Sequence, residues 1–334
     1  MFENRLGTND KRFDGNIGMG VNPNDTYRLL VEGDLAVTGS VIQLTGGNSW
    51  YVDTVNGNDA NSGTASSPFK TFAKANTSAS ALDTIWVRGS LNEAATITAK
   101  DGLKILGWGT TPHAAKWTSA TDTNTLTISS SNGVMVAGID FAPPPYTAQR
   151  NIASIVLSNA PYTRIVGNRF QGQVGSQNAI YSPVCNSDNV VISGNEFLYM
   201  NTVTYGTAIL GVSTGGLAYS DWRIMGNTFD SCVIAIKFNA KCAVITDNII
   251  KEYGLESAVA GGAIAAVLAL GISLVSTFGG GGGANYVTRN LLGGAYTATL
   301  YKVNGDVAGS DNWLGNTCVA GTGAAASFST LNPA

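Results

Sequence analysis

Five short segments of this chain share one pattern, and each carries an asparagine at the same place. The segments are Ile165–Phe170, Ile192–Phe197, Ile224–Phe229, Ile245–Ile250 and Val287–Leu292. A β-branched residue lies three positions before each asparagine, and a large apolar residue lies two positions after it. Glycine or a polar residue directly precedes the asparagine, which is typical of a tight corner between two short strands. A repeat of this kind predicts stacked coils instead of one globular core.

The repeated asparagines are predicted to form a column, one in each coil. An asparagine amide can donate and accept along such a column while it also satisfies nearby backbone groups. A further apolar strand is predicted before each corner, at residues 153–157, 179–181, 208–212, 235–238 and 271–274. Each coil therefore has at least two strands, and neighbouring coils pair in parallel at a spacing of about 4.8 Å.

The spacing of the asparagines decides which solenoid is favoured. Successive asparagines are 27, 32, 21 and 42 residues apart, which excludes a strict hexapeptide repeat. Unequal spacing is typical of an all-β, right-handed parallel β-helix with loops of variable length between the strands. The alternative is an antiparallel sandwich in which the Gly-Asn turns recur by coincidence.

Composition limits the possible partners and cofactors. The chain has 334 residues, 12% of them charged, a net charge of −3 and one histidine, His113. These values argue against a duplex nucleic acid partner and against histidine-based catalysis. The four cysteines have no metal-ligand spacing and are predicted to be buried free thiols: Cys185, Cys232, Cys242 and Cys318. No cofactor and no bound metal are predicted, and the first residues have no apolar signal-peptide core.

One uncharged stretch, residues 258–278, is long enough on paper to span a bilayer. It runs into the predicted strand 271–274, and a lone strand cannot lie exposed to lipid. We therefore expect no membrane span. Residues 253–270 are interpreted as an apolar insertion covered by a neighbouring subunit.

The N-terminal part of the chain differs from the coils. Residues 15–39, with Gly15-Asn-Ile-Gly-Met-Gly followed by Leu30-Val-Glu-Gly-Asp-Leu-Ala-Val-Thr-Gly39, resemble a segment of many bacteriophage tail-fibre and virion proteins. In those proteins the segment forms part of a trimeric shaft or attachment region. The resemblance implies that residues 1–48 form a trimerisation and virion-attachment segment.

The next part of the chain resembles the entrance of pectate-lyase-like β-helix proteins. The resemblance rests on Val52-Asp-Thr-Val-Asn-Gly-Asn-Asp, Pro68-Phe-Lys-Thr, Asp83-Thr-Ile-Trp-Val and Gly102-Leu-Lys-Ile-Leu-Gly-Trp-Gly. It implies an entrance over residues 49–110, coils over 111–319 and a C-terminal tail over 320–334. A short helix is predicted to cover the first coil, with Ser67 as its N-cap, Pro68 in its first turn, and Phe69, Phe72 and Ala73 on its apolar face.

A cluster of acidic and amide residues lies within this entrance. Its members are Asp53, Asn56, Asn58, Asp59 and Asn61. The cluster could hold calcium, but it lacks the EF-hand spacing and the final glutamate. A loop rich in Asx turns is therefore the favoured interpretation.

The coil register also predicts which charged residues are neighbours. Arg169 should lie beside Glu196, and Asp230 should lie beside Lys251. Each carboxylate then has a basic neighbour that favours its charged form, whereas a glycosidase needs one carboxyl with a raised pKa. In pectate-lyase-like enzymes calcium-binding acids cluster, and here no two acids share a corner offset on adjacent coils. No catalytic residue is therefore predicted.

If the protein is nevertheless an enzyme, the best catalytic candidates are Glu196, Asp221 and Asp230. Trp222, Tyr199 and Tyr219 are predicted to bind carbohydrate by stacking, with Trp222 facing outward. The alternative for these rings is ordinary surface or subunit packing.

Two functions from different classes remain open. The first is a homotrimeric structural protein of a bacteriophage virion, either a fibre, a spike or a capsid-surface protein. Its partners would be its own copies, other virion proteins through residues 1–48, and a host surface glycan. The second is a tailspike depolymerase that cleaves host polysaccharide, and a bacterial surface adhesin is a weaker third.

Overall fold

The computed structural model of the chain describes most of residues 47–319. The described ranges are 47–109, 113–142, 152–172, 177–200, 207–211, 219–232, 234–252, 270–275, 284–294, 301–304 and 312–319. All but the last two residues of the predicted attachment segment 1–48, the whole tail 320–334 and most of the insertion 253–270 lie outside them.

Three parallel sheets run along one solenoid, with strands numbered here in chain order. The first sheet stacks β1 Ser49–Asp53, β2 Thr84–Asn92, β4 Lys104–Gly107, β7 Met135–Ala137, β10 Arg164–Val166, β13 Val191–Ser193, β17 Arg223–Met225, β21 Val244–Thr246, β24 Tyr286–Thr288 and β27 Asn312–Leu314. The second sheet stacks residues 89–92 of β2, β5 Ala115–Thr118, β8 Ile139–Phe141, β11 Arg169–Gln171, β14 Glu196–Leu198, β18 Thr228–Asp230, β22 Ile249–Glu252, β25 Leu291–Gly294 and β28 Thr317–Val319.

The third sheet contains the strands that were predicted before each corner. It stacks β3 Ala95–Thr98, β6 Leu126–Ser129, β9 Ile152–Ser158, β12 Gln177–Ser182, β15 Thr207–Gly211, β19 Ile234–Phe238, β23 Leu270–Val275 and β26 Tyr301–Asn304. A two-stranded sheet pairs β16 Tyr219–Ser220 with β20 Ala240–Lys241. The predicted right-handed parallel β-helix of the pectate-lyase type is confirmed.

The asparagine column forms an unbroken ladder at the corner between the first and second sheets. The Nδ2 of Asn168 donates to the Oδ1 of Asn195 at 3.1 Å, and the backbone N of Asn168 donates to the same oxygen at 2.9 Å. The same two bonds repeat along the column through Asn195, Asn227, Asn248 and Asn290. The ladder ends on a sixth member, Asn316, which the sequence pattern missed because its coil has tryptophan and cysteine at the apolar positions.

Inside the second sheet the large apolar residues that follow each corner form a stack of rings. Phe141, Phe170, Phe197 and Phe229 stack nearly parallel, with ring centroids 5.1, 5.0 and 4.7 Å apart. All four side chains are completely buried. The stack continues from Phe141 to Trp117, so one aromatic column links successive coils through the core.

The predicted helix is present but begins later than expected. Helix α1 spans Phe72–Ser78, and its N-cap is Thr71, whose side chain accepts from the N of Lys74. The predicted cap at Ser67 is therefore wrong, because residues around Phe69 pair instead with β1 through a parallel bridge to Val52. Ala73 is exposed. Phe72 is buried against Trp117, and their ring centroids are 4.5 Å apart. The proposed role of α1 as a cover for the first coil stays a prediction.

The cysteine prediction is only partly correct. Cys185, Cys232 and Cys242 are free, but Cys232 alone among these three is buried, and Cys242 is exposed. Burial raises the pKa of the Cys232 thiol to about 12.

The predicted strand 271–274 is confirmed as part of β23. No helix in the described ranges has the length and apolar character needed to cross a membrane.

Candidate functional site

Two of the three candidate acids lie close together on the outer face of the second sheet. Glu196 on β14 and Asp230 on β18 flank the inward-facing phenylalanines, so both side chains point outward. Their strands are direct neighbours, and Asp230 pairs with Leu198, two residues beyond Glu196. Strand spacing and rise then place the two Cα atoms roughly 8 Å apart.

The predicted neighbours of these acids are confirmed. Arg169 pairs in register with Glu196, and its Nε donates to Glu196 Oε2 at 2.9 Å. Asp230 pairs in register with Lys251, and its Oδ1 accepts from the hydroxyl of Ser231 at 2.9 Å. Both acids are therefore already engaged by neighbouring groups.

The same outer face carries a column of alternating charges. Lys116, Asp140, Arg169 and Glu196 follow one another on adjacent strands of the second sheet. Asp140 is almost completely buried, and both its oxygens accept from Gln171 Nε2 at 2.8 Å. The signs therefore alternate along the column, and within it the described ion pair is that of Arg169 with Glu196.

Asp221, the third candidate acid, does not join this pair. It lies in the turn that leads into β17, at the start of the first sheet, whereas Asp230 ends β18 at the far side of the second sheet. Its backbone has a left-handed φ of 59°, and its N donates to the carbonyl of Lys241. Asp221 therefore does not share a face with Glu196 and Asp230, because a corner of the coil separates it from them.

Two of the three predicted sugar-stacking rings are inside the protein. Trp222 and Tyr219 are completely buried and pack edge to face at 5.3 Å. Trp222 Nε1 donates to the carbonyl of Ser187, and burial raises the pKa of the Tyr219 hydroxyl. The prediction that Trp222 faces outward is wrong, since it lies two residues before the buried Ile224 on the same side of the chain. Tyr199 is 53% exposed, so its assignment as a sugar-binding residue stays a prediction.

A different aromatic group, not expected to bind ligand, lies on the outer face of the first coils. We call Tyr51, Trp86 and Trp108 the aromatic cluster. Tyr51 and Trp86 are register neighbours on β1 and β2 with ring centroids 6.4 Å apart, and Trp108 directly follows β4 and meets Tyr51 edge on at 5.4 Å. All three side chains are partly exposed to solvent.

The indole N–H groups distinguish this cluster from the other described tryptophans. Trp50 donates to Asp83, Trp117 donates to the Glu93 carbonyl, and Trp222 donates to the Ser187 carbonyl. Trp86 and Trp108 make no such bond to any described residue, so their N–H groups are available to a ligand. Such exposed rings suit a ligand that places an apolar surface on the ring face and a polar group against the N–H at the ring edge.

An arginine and an aspartate border the aromatic cluster. The Arg88 guanidinium lies 4.6 Å from the ring centroid of Trp108, within cation–π distance. Arg88 also forms an ion pair with the buried carboxylate of Asp53, with its Nε 3.1 Å from Asp53 Oδ2. The pair holds the guanidinium against the ring and therefore fixes one side of the cluster.

The Asp53 carboxylate gives a pH-dependence that can be measured. Burial would raise its pKa, but hydrogen bonds from Arg88, Val55 and Asn56 outweigh burial and lower the pKa to about 2 from 3.8. Since the folded pKa lies below the unfolded one, the stabilisation is present above about pH 4 and is lost as pH falls through about 2. We expect the free energy of unfolding of the wild type to exceed that of Asp53→Asn by about 2 kcal/mol more at pH 6 than at pH 2. Parallel pH profiles from urea titrations of the two proteins would contradict this.

The entrance loop uses its acidic and amide groups to hold its own backbone. Asp53 Oδ1 accepts from the N of Val55 and Asn56, and Asp59 accepts from the N of Lys70 and Thr71. Within the part of the chain that the structure describes, no group of three acidic, histidine or cysteine side chains could hold a metal ion. The Asx-turn interpretation of this loop is confirmed by these hydrogen bonds.

Comparison with known proteins places the chain in a family. No curated protein matches the sequence. Among solved structures, a GH136 lacto-N-biosidase from Eubacterium ramulus is similar, with 10% identity, a TM-score of 0.37, and coverage of 81% of this chain and 68% of that one. A rhamnogalacturonan lyase is similar with 12% identity, a TM-score of 0.45, and coverage of 81% of this chain and 66% of that one. The profile of DUF1565, described as a protein of unknown function, matches residues 55–274, about two thirds of the chain, and the chain therefore belongs to the DUF1565 family.

Proposed function

We propose that this protein is a structural β-helix that binds glycan without cleaving it. The observation that carries the proposal is the aromatic cluster, because Tyr51, Trp86 and Trp108 present partly exposed rings on one rigid face. Sugar rings have apolar faces that stack on aromatic side chains, and their hydroxyl groups accept from indole N–H groups. Trp86 lies on β2, which pairs with β1 on one side and β4 on the other, and this pairing positions the rings before any ligand arrives.

The state of the outward acids supports binding without cleavage. Glu196 is held by Arg169, and Asp140 is held by Gln171. A glycosidase requires two carboxyl groups that both reach the substrate, and the hydrogen bonds from Arg169 and Gln171 occupy these two. The acids therefore support a surface role better than a catalytic one.

The glycan-binding test uses an immobilised panel of bacterial surface polysaccharides. We expect the wild type to be retained by at least one of them, and Trp86→Ala to lower the affinity about tenfold. Tyr286→Ala serves as the matched control, because Tyr286 is an exposed ring on β24, seven strands from Trp86 along the first sheet. Equal loss in both variants, or retention that survives Trp86→Ala unchanged, would contradict the assignment to the aromatic cluster.

We propose further that the protein is a homotrimeric component of a bacteriophage virion, attached to other virion proteins through residues 1–48. The support is the resemblance of residues 15–39 to tail-fibre and virion segments. Light scattering should give three times the mass of one chain, and quantitative mass spectrometry of purified phage should find copies in multiples of three. A monomer in solution, or a virion that lacks the protein, would contradict this part.

The second candidate function is a polysaccharide depolymerase, and one observation favours it. Glu196 and Asp230 both point outward from adjacent strands, with their Cα atoms roughly 8 Å apart, so their carboxyl groups can face one cleft as a glycosidase requires. The test is the release of reducing ends from the polysaccharide that the protein binds. Release that is lost in both Glu196→Gln and Asp230→Asn would establish the depolymerase, and a polymer of unchanged length would favour the binding role.

A further inference from the structure

Three exposed cations lie in one straight row on the outer face of the first sheet. Lys104, Arg164 and Arg223 are the first residues of β4, β10 and β17. They are aligned through Met135 and Val191, which occupy the same register position on the strands between them. Since neighbouring strands are about 4.8 Å apart, successive cations recur roughly every 10 Å along the helix axis.

The row carries positive charge that no described residue neutralises by contact. The ion pairs in the described ranges join Arg88, Arg169 and Arg289 to acids, and none involves the row. The adjacent outward column of the same sheet is uncharged from Leu106 to Met225. Asp101 and Asp221 lie in the turns that precede β4 and β17, at the border of this face.

The outward charges of the second sheet are arranged differently from this row. There the signs alternate along the column Lys116, Asp140, Arg169, Glu196. Along the row on the first sheet the charges of Lys104, Arg164 and Arg223 have one sign and alternate with the apolar Met135 and Val191. A regular row of one sign favours a ligand that repeats the opposite sign.

The row also leads into the aromatic cluster on the same face. Trp86 and Leu106 are register neighbours in the column beside the row, and Trp108 follows β4 directly. A linear ligand along the helix axis would therefore meet Arg223, Arg164 and Lys104 in turn and then the rings.

We propose that this face binds an extended anionic glycan along the helix axis. The aromatic cluster stacks on its sugars, and Lys104, Arg164 and Arg223 contact carboxylate or sulfate groups that recur along the chain. The inference rests on the proposed glycan-binding function and names the class of glycan. Single-stranded nucleic acid fits less well, because its phosphates recur far more closely than these cations and the whole chain is acidic.

The test compares four immobilised polymers: dextran sulfate, polygalacturonate, uncharged dextran and single-stranded oligothymidylate. We expect retention on dextran sulfate and polygalacturonate, weak retention on dextran, and loss of binding as salt is raised. Stronger binding to one of the two anionic polymers would show whether sulfate or carboxylate is the better ligand. Each of Arg164→Gln and Arg223→Gln should weaken anionic binding about fivefold, and the triple variant with Lys104→Gln should weaken it about 100-fold.

The matched control is the triple variant Lys70→Gln, Lys74→Gln and Lys116→Gln, which removes the same charge from exposed positions away from the first sheet. Thermal melts followed by circular dichroism confirm that both triple variants are folded. Equal weakening in the two triple variants would overturn the proposal, since net charge alone would then explain binding. Tightest binding to oligothymidylate would overturn it in favour of nucleic acid.

Two results separate this inference from the proposed function. Binding to dextran as tight as to dextran sulfate would overturn the anionic assignment and leave glycan binding intact. Failure to bind any glycan here and in the bacterial polysaccharide panel would overturn both.

Discussion

Replacing Asn195 with alanine is expected to lower the free energy of unfolding by roughly 3–5 kcal/mol. The Oδ1 of Asn195 accepts from both the backbone N and the Nδ2 of Asn168, at 2.9 and 3.1 Å. Its Nδ2 donates to the carbonyl of Ile165 and to Asn227 Oδ1, at 2.9 and 3.0 Å. Alanine removes all of these bonds at once. Each buried group left without a partner costs about 1–3 kcal/mol.

The measurement is urea unfolding followed by circular dichroism. Asn92→Ala is the matched control, because Asn92 is an exposed asparagine in β2, and its loss should change stability by less than about 0.5 kcal/mol. If Asn195→Ala loses less than about 1 kcal/mol, the ladder does not hold neighbouring coils together. Asn195→Asp should also destabilise the protein, since a carboxylate keeps the acceptor oxygen but cannot donate to the Ile165 carbonyl.

Truncation of Phe197 to alanine should be similarly severe, with an expected loss of about 3–5 kcal/mol. The ring is completely buried and stacks between Phe170 at 5.0 Å and Phe229 at 4.7 Å. Its removal leaves a cavity in a core that backbone pairing on both sides prevents from collapsing.

Two other substitutions on the same strand calibrate this result. Phe197→Leu keeps most of the volume and should cost less than half as much. Leu198→Ala, one residue further and on the outer face, should cost less than about 1 kcal/mol. Urea titrations that rank Leu198→Ala as the more severe change would contradict the assignment of inward and outward faces.

The coil register could be predicted from the sequence because packing repeats the same chemistry at each corner. An asparagine that bonds to the next asparagine must recur in every coil, and so must the large apolar residue beside it. Those repeated requirements are visible as a pattern and set the pairing of Arg169 with Glu196 and of Asp230 with Lys251. The fold and the pairing of residues on adjacent coils can therefore be predicted from five short segments.

The corner between the third and first sheets could not be predicted in the same way. It repeats a left-handed backbone and no side-chain type: its residues include Leu82, Gly102, Gly133, Tyr162, Asn189, Asp221, Cys242 and Ala284. The position therefore requires a left-handed φ and not one particular side chain. A backbone conformation that is held by its neighbours leaves no signature in the residues that adopt it.

The errors at the candidate site have a common physical origin. Trp222 was predicted to face outward, but the alternation of inward and outward residues extends one position before the strand, and Trp222 lies inward like Ile224. The same alternation places Tyr51 and Trp86 outward, opposite the buried Val52 and Ile85. If the alternation of inward and outward side chains had been extended one residue beyond each strand, Trp222 would have been predicted inside. The aromatic cluster would have been the candidate for sugar binding in its place.

The most direct test of glycan binding is a crystal structure of the protein with an oligosaccharide from the polymer that it retains best. We expect sugar rings stacked on the aromatic cluster, with the glycan running along the first sheet toward Lys104 and Arg164, and an intact glycosidic bond throughout. An oligosaccharide seated between Glu196 and Asp230 on the second sheet, or cleaved there, would contradict the proposed binding role.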